Sequence, residues 1–194
     1  MAIALTLASV GGTVLTEGIK FLYGQASELI TWWRQRNQDK EIAAPVAPPH
    51  SASAPDSFDG PVLQGQPDLD ALARLEEQLA AVLKQQVLVG VGALGETLET
   101  TNAEHVRAAE TLRSLLESVY GQAITFHGEA GRPPSGTPFV RGTAKAESVL
   151  GRLTGLDAEV ITEGHAEGSA DVVVVEPGGE VTGLKVKQIG RHNP

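Results

Sequence analysis

Two stretches near the end of the chain, GRLTGLDAEVI at 151–161 and GEVTGLKVKQI at 179–189, are near copies of one another. The correspondence extends upstream, where Gly142, Ala144, Ala146 and Val149 match Gly168, Ala170, Val172 and Val175. Two extra residues, Glu176 and Pro177, precede the second arm. There Gly179, Val181, Thr182, Gly183, Leu184, Val186 and Ile189 answer Gly151, Leu153, Thr154, Gly155, Leu156, Ala158 and Ile161. Each copy alternates small or β-branched residues with polar ones and carries glycines where a strand has to bend. One such unit of about 20 residues cannot bury its own apolar edge, whereas two stacked units can, by setting like over like and pairing their backbones. The repeat predicts a short β-solenoid over 139–190 built from two pseudo-repeats, 142–161 and 168–189.

In that arrangement Ala144, Ala146 and Ala158 lie over Ala170, Val172 and Val186 in a narrow interior, with Lys145, Glu147, Arg152 and Asp157 outside. Val149, Leu153, Gly155, Leu156 and Ile161 of the first repeat, with Val175, Val181, Gly183, Leu184 and Ile189 of the second, complete the set expected to carry self-assembly. Glu147 and Arg152 are expected to lack matched opposites in the next rung, which limits any charge ladder. A two-rung stack has open ends with unpaired amides and carbonyls, and no charged helix follows Ile189 as a cap. Such ends recruit further strands, so a homo-oligomer or fibril is the expected product.

The start of the chain follows a different pattern. Its first sixteen residues carry no charge, and up to Trp33 only Glu17, Lys20 and Glu28 interrupt an apolar helical pattern, so 1–40 is expected as one apolar or amphipathic helix. Nothing basic precedes Lys20, which argues against a secretory leader. The run is also shorter than the roughly 18–20 uncharged residues of a permanent spanning helix. Trp32 and Trp33 are followed by Arg34, Arg36 and Lys40, a pattern that marks the water-facing edge of a bilayer. On this reading Ile3, Leu5, Leu7, Val10, Val14, Leu15, Trp32 and Trp33 face lipid. A second reading fits the same residues: Trp33, in phase with Ile19, Leu22, Ala26 and Ile30, is helix core, and the basic residues form a favourable last turn.

Residues 41–67 hold prolines at 45, 48, 49, 55, 61 and 67 without an apolar period, and are expected as a flexible Pro/Ala/Ser linker. From Asp68 the helical period returns, with Leu69, Leu72, Leu75, Leu79, Val82 and Leu83 on one face. A second stripe, Val106, Ala109, Leu112, Leu115, Leu116 and Val119, follows a capping-box spacing at Thr101 to Glu104. Together they predict a helical hairpin over 68–121, which must pack against the N-terminal helix or copies of itself. HGEAGRPPSGTP at 127–138 is expected as a second, Gly/Pro linker. The fold class is α+β in separate modules, a helical N-terminal module and a C-terminal two-repeat β-solenoid.

Charge and composition narrow the chemistry. The net charge is −9, concentrated in the middle of the chain, and no Lys/Arg cluster of the kind that displaces counterions from nucleic acid is present. With no cysteine there is no disulfide framework or thiolate site, which fits a cytoplasmic address. His50, His105, His127, His165 and His192 have no metal-ligand spacing. Gly90, Gly92 and Gly95 give G-V-G-A-L-G, which follows a helical segment rather than a strand and so reads as a loosened helix end, not a dinucleotide loop. No catalytic, cofactor or metal residue is assigned, and an enzyme is not expected.

The duplicated G-x-A-x-[AV]-x-x-V and G-x-[LV]-T-G-L-x-[AV]-x-x-I segments resemble the HET-s-type amyloid signalling motifs, over about a quarter of the chain. In that family two pseudo-repeats form a two-rung solenoid that templates a matching motif on a partner. Only Thr162 to Glu167 separate the repeats here, shorter than the fungal loop. Lys187-Gln188-Ile189-Gly190 is similar to part of the RIP homotypic interaction core, without the β-branched residue before its glutamine. The layout is similar to the fungal HeLo and bacterial Bell cell-death effectors, small helical modules with an apolar N-terminus. The resemblance implies a prion-like effector of programmed cell death or anti-phage defence. Its partners would be a sensor with a matching repeat, such as an NLR-like ATPase, and membrane lipids. It would be cytoplasmic and move to the inner face of the membrane on activation.

Overall fold

Gly11 and Gly12 interrupt the apolar start of the chain, and the backbone follows them. In the structure, a computed structural model that describes residues 6–38, 54–161 and 164–189, a short 3-10 turn, Thr6–Ser9, precedes helix α1, Gly12–Gln38. The single helix expected over 1–40 is therefore broken before Gly12. Leu15, Ile19, Leu22, Ala26, Leu29, Ile30 and Trp33 recur at three- and four-residue spacing along α1 and are buried.

Helix α2, Leu69–Leu83, starts where Asp68 accepts hydrogen bonds from the amides of Asp70 and Ala71 at 2.9 and 3.0 Å, a cap for two of the free first-turn amides. A one-turn helix α3, Gln86–Val89, runs into a π-helical turn, Gly90–Leu94, that ends at Gly95 with φ 74°. The G-V-G-A-L-G stretch is this turn. Helix α4, Ala103–Tyr120, is capped by Asn102 rather than Thr101, its side chain accepting from the amides of Glu104 and His105. Glu104 is thereby the second helical residue, one position too early to return a bond to the cap. The apolar faces of α1, α2 and α4 meet in one core with Leu7, Leu72, Leu79, Leu112, Leu116 and Phe126 fully buried.

The chain divides into a helical unit ending at Gly136 and a strand unit beginning at Thr137, a mixed α+β class. The stretches expected as linkers behave otherwise. Residues 41–53 lie outside the described residues, but Phe58, Val62 and Leu63 are buried in the helical core, and Phe58 forms an antiparallel bridge with Phe126. The amide of Asp59 donates to the Thr125 carbonyl at 2.9 Å, and that of His127 to Ser57 at 2.8 Å. In 127–138, Glu129 and Ser135 are buried, and the Ser135 hydroxyl bonds the Thr125 backbone. Widely spaced large apolar residues anchor these stretches, and such anchors have no period to detect.

The strand unit has four strands: β1 Phe139–Val149, β2 Arg152–Ile161, β3 His165–Val175 and β4 Glu180–Ile189. β1 pairs β3 in parallel, and β2 pairs β4 in parallel, as two open sheets of two strands. Parallel partners cannot be joined by a hairpin, so each strand's partner lies beyond the next strand in sequence. The registers are offset by 26 and 28 residues. They set Gly142 beside Gly168, Ala144 beside Ala170 and Ala146 beside Val172. They also set Leu153 beside Val181, Thr154 beside Thr182, Leu156 beside Leu184 and Ile161 beside Ile189. The turn at Glu176 to Gly179 absorbs the two extra residues: Glu176 and Glu180 donate to the carbonyls of Val149 and Gly151 at 2.9 and 2.7 Å.

Between the sheets the backbones touch. A Cβ on Gly155 would run into the Ser169 carbonyl oxygen of the other sheet, and one on Gly183 would stand 2.7 Å from that of Gly168. Gly142 and Gly168 meet the opposing backbone just as closely. A side chain here forces the sheets apart. Gly155→Val is expected to abolish the parallel-sheet signal in infrared spectra of the full chain while leaving its helical circular dichroism unchanged, whereas Thr154→Val, beside it, preserves both.

Candidate assembly surface

Among the described residues no third strand joins either two-stranded sheet, and the edge of a sheet is a template for another strand. The residues assigned to assembly lie along these strands. Ala144, Ala146, Leu153, Gly155, Leu156, Ala158, Ala170, Val172, Val181, Gly183 and Val186 are half-buried, and Val149 is buried. Val175 and Leu184, of the same set, are exposed. Ile161 and Ile189 pair at the end of the second sheet. Val140, Leu150, Val173 and Val174 are also exposed, Val173 at 82% and Leu150 at 76%. This apolar exposure on a small unit is of the kind that marks an interaction surface.

Charges cross the register more fully than the sequence suggested. Arg152, expected to lack an opposite, pairs with Glu180 at 3.0 Å. Arg141 pairs with Glu167 at 2.9 Å, and Lys185 with Asp157 at 3.6 Å. Glu147 does lie in line with an apolar neighbour, Val173, between the Ala146 to Val172 and Ser148 to Val174 pairs. The Phe139 and His165 rings stack 5.5 Å apart and 4° from parallel, with the Arg141 guanidinium 5.1 Å from the Phe139 ring. His165 lies 3.5 Å from Glu167. Reading each aligned pair for charge as well as for size would have found these contacts.

In the helical unit the residues assigned to lipid are placed inward. Ile3 and Leu5 lie outside the described residues. Leu7, Val10, Leu15, Trp32 and Trp33 are buried in the core and Val14 packs against it. The Trp33 indole donates to Glu76 at 2.8 Å, and Arg34 to the same carboxylate at 2.9 Å. The Arg34 hydrogen bond, helped by the Trp33 indole and opposed by partial burial, holds the Glu76 carboxyl below its ordinary range. No described helix is long and apolar enough to cross a membrane.

A buried ionic cluster ties the beginning of this unit to its end. Arg113, 1% exposed, donates to both oxygens of Glu129 at 2.7 Å and pairs with Glu110. Glu129 also accepts from the Phe126 amide at 3.1 Å and from the Thr6 hydroxyl. Beside it Arg132 pairs with Glu117, which accepts from the Ile124 amide at 2.9 Å. Burial alone would lower the Arg113 pKa, but the carboxylates of Glu110, Glu129 and Glu117 outweigh it and the guanidinium titrates above its usual value. Nothing in the sequence reading anticipated this cluster. Its signal is the spacing of Glu110, Arg113 and Glu117 on one face of a buried helix.

Among the described residues no group of His, Cys, Asp and Glu is arranged to hold a metal, and His105 accepts a hydrogen bond from the Glu99 amide at 3.1 Å. Arg113→Met strips Glu129 and Glu110 of their buried cation and is expected to cost about 3–5 kcal/mol, read as a lower denaturant midpoint of tryptophan emission. Burial pushes the Tyr120 phenol up to about 12. The neutral phenol is therefore favoured by folding: its stabilisation is full below about pH 10 and is lost as pH rises through about 12. Tyr120→Phe is expected to flatten this alkaline fall in a thermal melt series.

No protein-family model, no curated protein and no solved structure matches the chain.

Proposed function

We propose that this chain is a non-enzymatic signalling effector of the HET-s type, whose strand unit is a two-rung β-solenoid that assembles by β-templating with copies of itself or with a sensor bearing a similar repeat. The observation that carries this reading is the parallel, like-on-like pairing of the two sequence repeats, with no further strand on either sheet among the described residues. One further layer repeats contacts the chain already makes within itself, at the roughly 4.8 Å spacing of paired strands. The partner sensor, such as an NLR-like ATPase, supplies the first layer, and the chain then adds copies in an amyloid-like stack.

In the same proposal the helical unit acts on a membrane, in programmed cell death or anti-phage defence, and moves from the cytoplasm to the inner membrane face on activation. Support comes from the uncharged N-terminal run and from Trp32 and Trp33 beside Arg34 and Arg36. For Leu7, Val10, Val14 and Leu15 to reach lipid, they have to leave the helical core. Their burial favours a second reading, a soluble oligomeric scaffold with a stable solenoid tail that binds partners.

Two measurements on the full chain separate these readings. Assembly predicts thioflavin-positive fibres with a meridional reflection near 4.8 Å and seeding by their sonicated fragments. A chain that stays monomeric at high concentration, unseeded and seeded alike, overturns it. Membrane action predicts that seeded protein, and not unseeded protein, releases dye from anionic vesicles. Fibres without leakage leave the scaffold as the function.

A further inference from the structure

The two rims of the strand unit carry opposite charges at matched positions. On β1 and β2 these positions are Arg141, Lys145, Arg152 and Asp157, and their register partners on β3 and β4 are Glu167, Asp171, Glu180 and Lys185. The sign changes at each one. Three of the pairs close as ion pairs inside the chain: Arg141 to Glu167, Arg152 to Glu180 and Lys185 to Asp157.

We propose that the β3/β4 rim is the docking surface for the β1/β2 rim of a second copy of this chain, joined head to tail, and that sign alternation at these positions selects that partner and register. The inference rests on the assembly reading above and adds what makes one neighbour acceptable and another not. With the pairing used inside the chain, the second copy's Arg141 meets Glu167, its Arg152 meets Glu180 and its Asp157 meets Lys185. Each contact between copies then has the same sign rule as the contact within a copy.

The acceptors have room for this. Glu167 takes both contacts from its own Arg141 on Oε2, at 3.1 and 2.9 Å, with His165 3.5 Å from Oε1, while a carboxylate accepts about four hydrogen bonds and its side chain is 41% exposed. Glu180 and Lys185 are about as open to solvent, with side chains 59% and 47% exposed. At the start of the strands the His165 ring lies flat on Phe139, so a second copy's Phe139 would arrive on the opposite face of the same ring. Were the two repeats identical in charge, like side chains would stack about 4.8 Å apart at every layer, a destabilising arrangement. A slip of one residue breaks each pairing and turns the inward residues outward.

The test is a charge-swapped full chain, Arg141→Glu, Glu167→Arg, Arg152→Glu and Glu180→Arg. It keeps opposite signs within itself and between its own copies, but meets the wild-type chain with like signs on either rim. Sonicated fibres of each chain are added to soluble preparations of each, and the thioflavin lag is recorded. Both chains are expected to seed themselves, with cross-seeding slower by about tenfold or more, since each like-charge contact costs of the order of a facing-pair energy. The block should fade near 1 M salt, where the screening length falls to about 3 Å. Cross-seeding as fast as self-seeding overturns the charge selection while leaving assembly intact. A wild-type chain that never seeds itself overturns the assembly reading instead. Should the fourfold variant fail to self-seed, Arg141→Glu with Glu167→Arg decides by the same criterion, with slower cross-seeding expected and equal rates counting against the proposal.

Discussion

Glycine at positions 142, 155, 168 and 183 lets two sheets meet backbone to backbone, and the character of the strand unit follows from that contact. Sheets that pack through side chains lie about 10 Å apart and can enclose a thick apolar layer. Here the close glycine contacts leave no room for such a layer at these positions. Most of the interior residues remain half-buried. Backbone pairing and cross-strand charge supply the order that burial does not.

The helical unit solves the opposite problem. Its apolar faces close on one another, and the residues at the N-terminal end are held twice, by Leu7 and Val10 in the core and by Thr6 on the Glu129 carboxylate. Glu129 belongs to a stretch with no regular structure of its own, and Arg113 holds its carboxylate together with the Phe126 amide. A buried ionic centre of this kind adds less to net stability than apolar packing would, but it is intolerant of partial disruption, because any single loss strands a charge. The segment from Thr6 to Val10 is thus held by an arrangement that is either intact or strongly destabilised.

Much of this architecture was legible in the sequence, for reasons that differ by region. The repeat could be aligned residue by residue because parallel pairing sets Gly142 on Gly168 and Leu156 on Leu184, so the spacing in the chain is the register of the sheet. The stripes of α1, α2 and α4 follow from helical period. The packing of 54–67 did not show, since Phe58, Val62 and Leu63 sit among prolines and glycines without regular spacing, and burial of isolated anchors depends on partners far along the chain. Arg152 has its opposite in Glu180 because the same register that sets like apolar residues together sets a basic residue on an acidic one. The ionic cluster was hidden for a related reason: Glu129 and Arg132 lie in a stretch that resembles a joint, and charged residues on a helix are by default assigned to solvent.

The placement of the chromophores has a practical corollary. Both tryptophans and both tyrosines, at positions 32, 33, 23 and 120, belong to the helical unit, and from Thr137 onward the described chain holds neither type. Ultraviolet emission is therefore blind to strand stacking and sensitive to the environment of the helices. A label-free fluorimeter trace, run beside a light-scattering trace, therefore separates a change in the helical unit from any association of the strand unit, and gives the order of the two where both occur.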